Sequence, residues 1–359
     1  MLIDLMLFIY IAICMLLLVY SLIYTWKSKI IKKKMTKMKQ KWKVLLDNEF
    51  ENLKNGQHLS KAHMKYLEKK LPSINQFIAY ISALDSFKED KLMPIYLKER
   101  ALSQQYLAYK YLKKDDISRS FFAYAISLYP PNARDEYLPI LEVLIEYMDD
   151  ASITCRENVL RALYAIGNVY AIETALEFIN NHHLFHHPKL LADGLATFQG
   201  NKEELMRCLW KHINDWDAGL MVSIVNFIAL SSSEYKSIFL PYLTDESVSL
   251  EIRLEILRYY RKHYYEPVQD ILCSFLTSHS NVNLSIVSAT VLASYPSKRT
   301  TEVLKNALCH SNWYVRYNAA GSLLKMDHYQ DEINDILHGN DTYAKEILIY
   351  MMEQEGIYA

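Results

Sequence analysis

The strongest helical pattern in the chain lies between Asn312 and Met326. Its apolar side chains recur at helical spacing and are Val315, Ala319, Ala320, Leu323 and Leu324. This pattern predicts a helix with one apolar face, and the small residues in the middle of that face let a second helix approach closely. Arg316 follows Val315 directly, and we expect its guanidinium to reach carboxylates or carbonyls of a neighbouring turn.

The same pattern recurs upstream with a period of about thirty residues. The equivalents of Val315, Ala320 and Leu323 are Leu284, Ala289 and Leu292; Ile252, Leu257 and Tyr260; Leu220, Val225 and Ile228; Leu190, Leu195 and Phe198; and Cys155, Leu160 and Leu163. Another apolar helix precedes each copy, as at residues 271–276 and 301–308. Two helices per unit at a steady period are typical of helical solenoids, so we predict an all-α fold built as an α-solenoid.

The motif Val-Arg-x-x-Ala-Ala-x-x-Leu in this pattern resembles the repeats of the HEAT-repeat family. The positions that carry the resemblance are Arg156, Arg253, Val315, Arg316, Ala319, Ala320 and Leu323. Three of the six copies lack the arginine, and the copy at Arg253 lacks the paired alanines, so the match points to the family and to no subfamily. The resemblance covers residues 135–355 and implies a right-handed α-solenoid of HEAT-like helical hairpins.

An uninterrupted apolar run at the N-terminus predicts one transmembrane helix. Residues 5–26 carry no charge, glycine or proline, and as a helix these 22 positions span about 33 Å, enough for a hydrocarbon core of about 30 Å. Tyr20, Tyr24 and Trp26 gather at the far end, where an aromatic belt is expected. The alternative is a cleaved signal peptide. It fits poorly, because positive charge follows the run, the run is too long and no Ala-x-Ala site comes after it.

Charge asymmetry predicts the orientation of this helix. The nine lysines of residues 27–43 are Lys27, Lys29, Lys32, Lys33, Lys34, Lys37, Lys39, Lys41 and Lys43. No acidic residue lies among them, and only Asp4 precedes the apolar run. Because cytoplasmic flanks collect lysine, we predict a single-pass protein of the cell membrane with its N-terminus outside and its C-terminal body in the cytoplasm.

The lysine segment is itself predicted to continue as a helix. Its apolar side chains step by four, three, four and three residues and are Ile31, Met35, Met38, Trp42 and Leu45. Two functions fit such a helix: it lies along an anionic inner leaflet, with Lys27 to Lys34 at the headgroups, or it pairs with a partner helix. Packing of the stripe against the first repeat is the structural alternative. Gly56 predicts the end of the helix.

Residues 59–129 are rich in tyrosine and read as helices that cap the array, although a separate helical domain also fits. Pro130 and Pro131 interrupt the pattern, because neither can continue a helix interior. The predicted divisions of the chain are a transmembrane anchor at 1–26, a basic juxtamembrane helix at 27–56, divergent N-terminal helical repeats at 57–131 and the HEAT-like array at 132–359.

The composition argues against nucleic-acid binding and against a disulfide framework. Setting the nine lysines and Asp4 aside from the 40 basic and 41 acidic residues leaves 31 basic and 40 acidic, a balance of −9. Nonspecific nucleic-acid binding depends on phosphate neutralisation by basic side chains, so no nucleic-acid partner is expected. The five cysteines are widely spaced and contain no Cys-x-x-Cys pair, which favours buried thiols in a reducing compartment.

Four histidines form a tight cluster of residues that can bind metal. They are His182, His183, His186 and His187, and their i, i+4 spacings would place pairs of imidazoles on one helical face. Pro188 follows at once and favours a turn between two helices, so we interpret them as solvated loop histidines and predict neither a metal nor a cofactor. HEAT-repeat enzymes that hold iron use His-Glu pairs, and this sequence has none.

The segment Arg258–Tyr265 interleaves cations with aromatic residues, an arrangement that can stack bases or grip phosphates and sugars. In the repeat register Tyr260 is a core residue, and Tyr264 lies one turn further on. The exposed partner or ligand surface is then predicted to contain Arg258, Arg261, Lys262 and Tyr265. Neither Gly-x-Gly-x-x-Gly nor Gly-x-Ser-x-Gly occurs, and no catalytic constellation converges in the sequence.

These observations favour a noncatalytic function. We predict a membrane-anchored HEAT-repeat scaffold or adaptor that docks a protein partner at the membrane and touches anionic headgroups through its lysine segment. The resemblance to single-anchor bacterial HEAT proteins implies an accessory subunit of an envelope or glycosyltransferase assembly. The alternative is a HEAT-fold enzyme or ligand-binding protein, lyase-like or binding a nucleotide or sugar phosphate through Arg258–Tyr265.

Overall fold

The computed structural model describes residues 2–131, 138–149, 151–278, 281–326 and 330–356. Over these residues the chain is all-helical and contains no strand, as the sequence predicted. The helices are α1 (Leu2–Lys54), α2 (Lys61–Lys70), α3 (Ile74–Leu84), α4 (Met93–Glu99), α5 (Ala101–Leu112), α6 (Asp116–Leu128), α7 (Leu138–Glu146), α8 (Ile153–Ile166), α9 (Val169–Asn181), α10 (Pro188–Ala196), α11 (Lys202–Lys211), α12 (Ala218–Ser231), α13 (Lys236–Thr244), α14 (Leu250–Lys262), α15 (Gln269–Thr277), α16 (Val282–Val291), α17 (Lys298–Ala307), α18 (Trp313–Leu324), α19 (Gln330–His338) and α20 (Thr342–Gln354).

The first helix joins the apolar run and the lysine segment without a break. α1 has 53 residues and a length of about 80 Å. It ends where the sequence predicted, because Gly56 adopts the left-handed conformation with φ of 76° and its N–H donates to the Leu53 carbonyl (3.0 Å). The side chains from Phe8 to Trp26 are all exposed.

The last turns of α1 are buried against α3 and α4. The buried apolar side chains are Trp42, Leu46, Phe50 and Leu53. The Trp42 indole donates to the Gln76 side-chain oxygen (3.0 Å), and its ring contacts the rings of Tyr66 and Tyr80. Packing against the body therefore accounts for the predicted stripe from Trp42 onward, whereas Ile31 remains 61% exposed.

The chain forms two compact units, residues 1–175 and 176–359. In the second unit each even-numbered helix packs on the next one, from α10 through α12, α14, α16 and α18 to α20. The odd-numbered helices α11, α13, α15, α17 and α19 each lie against the even-numbered helix that follows. The even-numbered helices begin at residues 188, 218, 250, 282, 313 and 342, so their starts recur every 29 to 32 residues.

The first unit contains similar pairs, in which α5 packs on α7 and α6 on α8. The tyrosine-rich stretch of residues 59–129 is helical, as predicted, and comprises α2 to α6. α6 ends at Leu128, before Pro130 and Pro131, as the sequence predicted.

The predicted repeat positions are buried with one exception. Val315, Leu284, Ile252, Leu220 and Cys155 are each at most 3% exposed. The prediction is wrong for Leu190, which is 58% exposed. The neighbouring Leu191 is buried at this position of the repeat instead. The other five helices begin after a Ser, Asp or Asn whose side chain caps the helix, whereas α10 begins at Pro188 after His187, which makes no side-chain cap bond. Its buried face accordingly starts one residue later.

The three signature arginines bind backbone carbonyls near the preceding turn, one of the two outcomes predicted for Arg316. The Arg316 guanidinium donates to the carbonyls of His310 (2.7 Å) and Ser311 (3.1 Å). Arg253 donates to the Leu243 carbonyl (2.9 Å). Arg156 is buried and donates to the Ala151 carbonyl (2.5 Å). These charge-assisted bonds satisfy carbonyls that have no partner within a helix.

Gly56 provides a test of how the long helix is terminated. A Cβ at this position meets no atom within 4 Å, but the left-handed backbone is unfavourable for alanine. We expect Gly56→Ala to lower the free energy of unfolding by about 1–2 kcal/mol. The measurement is chemical unfolding of the full chain in detergent micelles. Gly219→Ala is the matched control, since it lies in α12 and its Cβ would only touch Asp217 at 3.4 Å. A loss of stability from Gly219→Ala as large as that from Gly56→Ala would contradict the conformational explanation.

Candidate interaction surfaces and a buried polar network

The apolar half of α1 is fully exposed over its most hydrophobic window. Within the described residues it is the one helix long and apolar enough to cross a membrane, and this length and composition suit a membrane anchor or a signal sequence. The lysines that follow it, Lys27, Lys29, Lys32, Lys33 and Lys34, are all exposed. Their contact with lipid headgroups remains a prediction.

A buried polar network connects the end of α1 to the helices that follow it. The Glu49 carboxylate accepts bonds from the Ser60 N–H (3.2 Å) and hydroxyl (3.0 Å) and lies 3.8 Å from the His63 ring. The other ring nitrogen of His63 is 3.1 Å from the Tyr96 hydroxyl. Glu49 and His63 are only 8% and 5% exposed, so the interaction takes place away from bulk water.

The network continues from Tyr96 to a buried guanidinium. The Tyr96 and Tyr80 hydroxyls are 2.9 Å apart, and Arg100 donates to the Tyr80 hydroxyl at 2.6 Å. Arg100 is 4% exposed, and its guanidinium carbon lies 5.7 Å from the centre of each tyrosine ring. Among the described residues no carboxylate lies within ion-pair distance of Arg100. The Tyr80 hydroxyl and the faces of both tyrosine rings therefore stabilise its charge.

Burial sets the protonation of this network. Desolvation lowers the pKa of His63, an effect that the Arg100 charge reinforces and the Glu49 charge opposes. Desolvation also holds the pKa of the Tyr96 hydroxyl well above its usual range. The lowered pKa of His63 and the raised pKa of Tyr96 favour the neutral forms of both groups, which lie between the Glu49 carboxylate and the Arg100 guanidinium. The hydrogen bonds of the network link the side chains of α1, α2, α3 and α4.

Sequence reasoning missed this network. Its members are separated by up to 51 positions and share no spacing, so no local pattern joins Glu49 to Arg100. The one available signal is an arginine that directly precedes α5 in a segment crowded with tyrosine. A buried arginine needs aromatic or anionic neighbours, which such a segment can supply.

The structure uses most of the Arg258–Tyr265 segment for packing. Tyr260 is fully buried, as predicted, and its hydroxyl donates to the Lys236 carbonyl. Arg258 is paired with Glu255 on the same helix. Lys262 donates to the Ala229 carbonyl at 3.4 Å, whereas the exposed Arg261 guanidinium forms no hydrogen bond or ion pair with the described residues.

The two terminal tyrosines of this segment differ from the prediction. α14 ends at Lys262, so Tyr264 does not lie one helical turn beyond Tyr260. Tyr264 is 56% exposed and stacks on Tyr295, with ring centres 4.8 Å apart. Tyr265 is half-buried and stacks on Tyr260, so it contributes little exposed surface.

The histidine cluster lies in the turn between α9 and α10, as Pro188 suggested. His182, His183 and His187 are exposed, whereas His186 is 8% exposed and therefore not a solvated histidine. The His182 ring lies 2.9 Å from the Phe178 carbonyl and stacks on the Phe178 ring. Within the described part of the chain no group of three or more His, Cys, Asp or Glu side chains is placed to hold a metal ion.

Part of this turn lines a cavity of about 370 Å³ beside the N-terminus of α12. The residues that close it are Ile179, Leu184, Phe185 and Pro188 on one side, Asp217 to Leu220 on the other, and His183 with His186. Asp217 uses its carboxylate to cap α12, by accepting from the Leu220 N–H at 2.8 Å. The cavity is mainly apolar, and its one carboxylate is already engaged.

An exposed aromatic group on α18 and α20 is a surface that the sequence did not single out. Trp313 and Tyr317 stack with ring centres 4.9 Å apart, and Tyr317 lies 6.4 Å from Tyr350. Tyr314 and Tyr343 are 61% and 67% exposed. We call these five residues the α18–α20 aromatic surface. Their signal was the Trp-Tyr pair directly before Val315, which the repeat pattern places outside the buried face.

His63 makes the stability of the first unit depend on pH. Its pKa is lowered below 6.5 in the folded protein, so the unfolded chain binds the proton more tightly. Stability is therefore complete above about pH 7 and falls as the pH drops through 6.5, by at most about 1.4 kcal/mol per pH unit. We expect His63→Gln to flatten this dependence between pH 7 and 5, measured by urea unfolding in micelles. His187→Gln, at an exposed position, should keep the wild-type slope, and an unchanged slope in His63→Gln would exclude this assignment.

Comparison with known proteins adds no assignment. No protein-family model matches the chain, and no curated protein is significantly similar to it. The resemblance to HEAT repeats thus stays a prediction based on residues such as Val315, Arg316 and Ala320.

Proposed function

We propose that this protein is a single-pass membrane adaptor whose cytoplasmic body is a HEAT-like α-solenoid that docks a protein partner. The observation that carries the proposal is the continuity of α1. Its apolar half is exposed, and its last turns bury Trp42, Leu46 and Phe50 in the helical body. One rigid helix would thereby hold the body at a membrane, which raises the effective concentration of a partner in that membrane.

Several features of the N-terminus support an uncleaved anchor. The apolar run has 22 residues, and its positive charge follows rather than precedes it. Signal peptides have the opposite charge order and a shorter apolar core. The lysines after Trp26 support a cytoplasmic body under the positive-inside rule.

The solenoid is supported by repetition at three levels. Helix starts recur every 29 to 32 residues in the second unit, and successive even-numbered helices pack on each other. Arg156, Arg253 and Arg316 make equivalent bonds to carbonyls near the preceding turn. Repeats that pack only on their neighbours produce an extended surface suited to docking a protein.

The partner surface with the most support is the α18–α20 aromatic surface. Tyrosine and tryptophan are enriched at protein interfaces because they bury a large area and keep a polar group for the rim. The α18–α20 aromatic surface lies on the last described helices of the second unit and is therefore far from α1 in the sequence. An accessory role beside an envelope enzyme, such as a glycosyltransferase, is consistent with an acidic, noncatalytic body at the membrane.

The proposed topology can be tested with reporters in a bacterial host. A fluorescent protein fused after Ala359 should fluoresce, and alkaline phosphatase at the same site should be inactive. The chain should resist alkaline extraction from membranes and keep its full N-terminal mass. Replacing Lys27, Lys29, Lys32, Lys33 and Lys34 with glutamine should give a mixed orientation. A soluble protein that has lost its first 20 to 30 residues would instead identify α1 as a signal sequence.

The adaptor function predicts a partner that depends on the aromatic surface. After in-cell crosslinking and mild-detergent purification, the wild type should yield one integral membrane protein near stoichiometry. Tyr314→Ala with Tyr343→Ala should reduce this recovery at least fivefold, because two large exposed side chains are removed. Arg261→Ala with Lys262→Ala is the matched double variant and should bind like the wild type. If only the Arg261 and Lys262 variant lost a ligand or partner, the alternative based on Arg258–Tyr265 would replace this one.

A further inference from the structure

The segment of α1 between the membrane run and the body carries an apolar stripe that the body does not cover. At about 100° per residue, Ile31, Met35 and Met38 lie on the same side of α1 as Trp42 and Leu53. Trp42 is 2% exposed, whereas Ile31 is 61% exposed and the two methionines are only partly buried. The stripe is thus a continuation, toward the membrane, of the α1–body contact.

The stripe projects beyond the membrane surface if α1 crosses the bilayer. α1 is one continuous helix and contains neither glycine nor proline, the residues that most often kink a helix, between the membrane run and Trp42. Met35 and Met38 follow Trp26 by nine and twelve residues, or about 13 and 18 Å along the axis. A headgroup layer is only about 5–8 Å thick on each side. A straight α1 therefore cannot lay this stripe on the lipid surface.

The stripe is bordered by lysines on both sides. Lys34 and Lys41 lie along one edge and Lys32 and Lys39 along the other, and all four are exposed. The first acidic residue after them is Asp47. Lys39 and Lys41 lie more than a Debye length of about 8 Å beyond Trp26, so lipid headgroups neutralise them poorly.

We propose that residues 31–41 of α1 dock an acidic amphipathic helix of the membrane partner, with its apolar stripe on Ile31, Met35 and Met38 and its carboxylates on the flanking lysines. Methionines adapt to varied apolar surfaces, and charged residues that flank a helical seam select the opposite charge. A second copy of α1 would bring lysine against lysine and is disfavoured. This inference rests on the proposed anchoring of α1 and specifies the chemistry of the partner.

The test uses the full chain in phosphatidylcholine vesicles and two labelled helical peptides of equal length. Both peptides have a leucine–isoleucine seam, flanked by glutamates in one and by lysines in the other. Fluorescence anisotropy should show binding of the glutamate peptide, at least tenfold tighter than the lysine peptide and weakened at least fivefold by 0.5 M salt. Equal binding of both peptides, or binding of neither, would overturn the proposal.

Matched variants locate the binding surface. Met35→Gln with Met38→Gln should weaken binding of the glutamate peptide at least tenfold. Val44→Gln removes an exposed apolar side chain of the same helix that lies about 150° around the axis from the middle of the stripe and should change binding less than twofold. Equal losses in the two variants would contradict a stripe on residues 31, 35 and 38.

Three further measurements distinguish an acidic helix from the other possible occupants of the stripe, lipid and a second copy of α1, and test the membrane anchoring separately. The affinity for the glutamate peptide in vesicles with 30% phosphatidylglycerol should stay within twofold of its value in phosphatidylcholine vesicles. Loss of peptide binding there would mean that lipid covers the stripe. Disulfide-linked homodimers that form in Met38→Cys and not in the wild type, whose Cys14 and Cys309 are exposed, would show a second copy on the stripe and overturn the proposal. Flotation of the protein with the vesicles reports anchoring separately, so a floating protein that binds neither peptide refutes the acidic helix and leaves the anchor intact.

Discussion

The burial of one side of the last turns of α1 is the contact on which the rest of the first unit depends. α1 runs from Leu2 to Lys54 as a single helix, so whatever fixes its end also fixes its direction. Trp42, Leu46 and Phe50 supply the apolar part of that contact, and Glu49 supplies the polar part through Ser60 and His63. Without it the first unit would lose both a wall of its core and its rigid link to the apolar run.

Beyond α1, hydrogen bonds from side chains to backbone carbonyls recur along the chain. Short helices leave many terminal carbonyls without a partner, and burying them unpaired would be costly. Besides the signature arginines, buried tyrosines serve these carbonyls over separations of 35 to 40 residues. The three bonds join the hydroxyls of Tyr111, Tyr147 and Tyr295 to the carbonyls of Leu71 (2.8 Å), Ala108 (2.6 Å) and Tyr260 (2.9 Å). Burial raises the pKa of each of these tyrosines, so they remain donors, which gives these three of the chain's 28 tyrosines a structural role.

Features determined by neighbouring residues were predictable, and those determined by distant packing were not. Helical spacing identified the buried side of α18, and Gly56 marked the end of α1, because both depend on a few consecutive residues. The register of α10 failed by one residue because its start differs from that of the capped helices. The contacts of Arg100 and His63 are chosen by how helices pack, which spacing does not encode. The residues of the α18–α20 aromatic surface can be read from the sequence, but only the structure shows that they lie together and how far each is exposed.

The charge distribution gives the lysine segment a further physical role under the proposed topology. The body carries a balance of −9, and an anionic leaflet repels such a body within a few Debye lengths of about 8 Å. Sixteen residues separate Trp26 from Trp42, so a straight α1 holds the first buried turn about 24 Å beyond the interface. The lysines nearest the membrane can meet its negative charge, and those further along can meet acidic protein. Under this topology a rigid cationic spacer would keep the acidic body clear of the lipid and would leave the exposed part of α1 open to a partner in the same membrane.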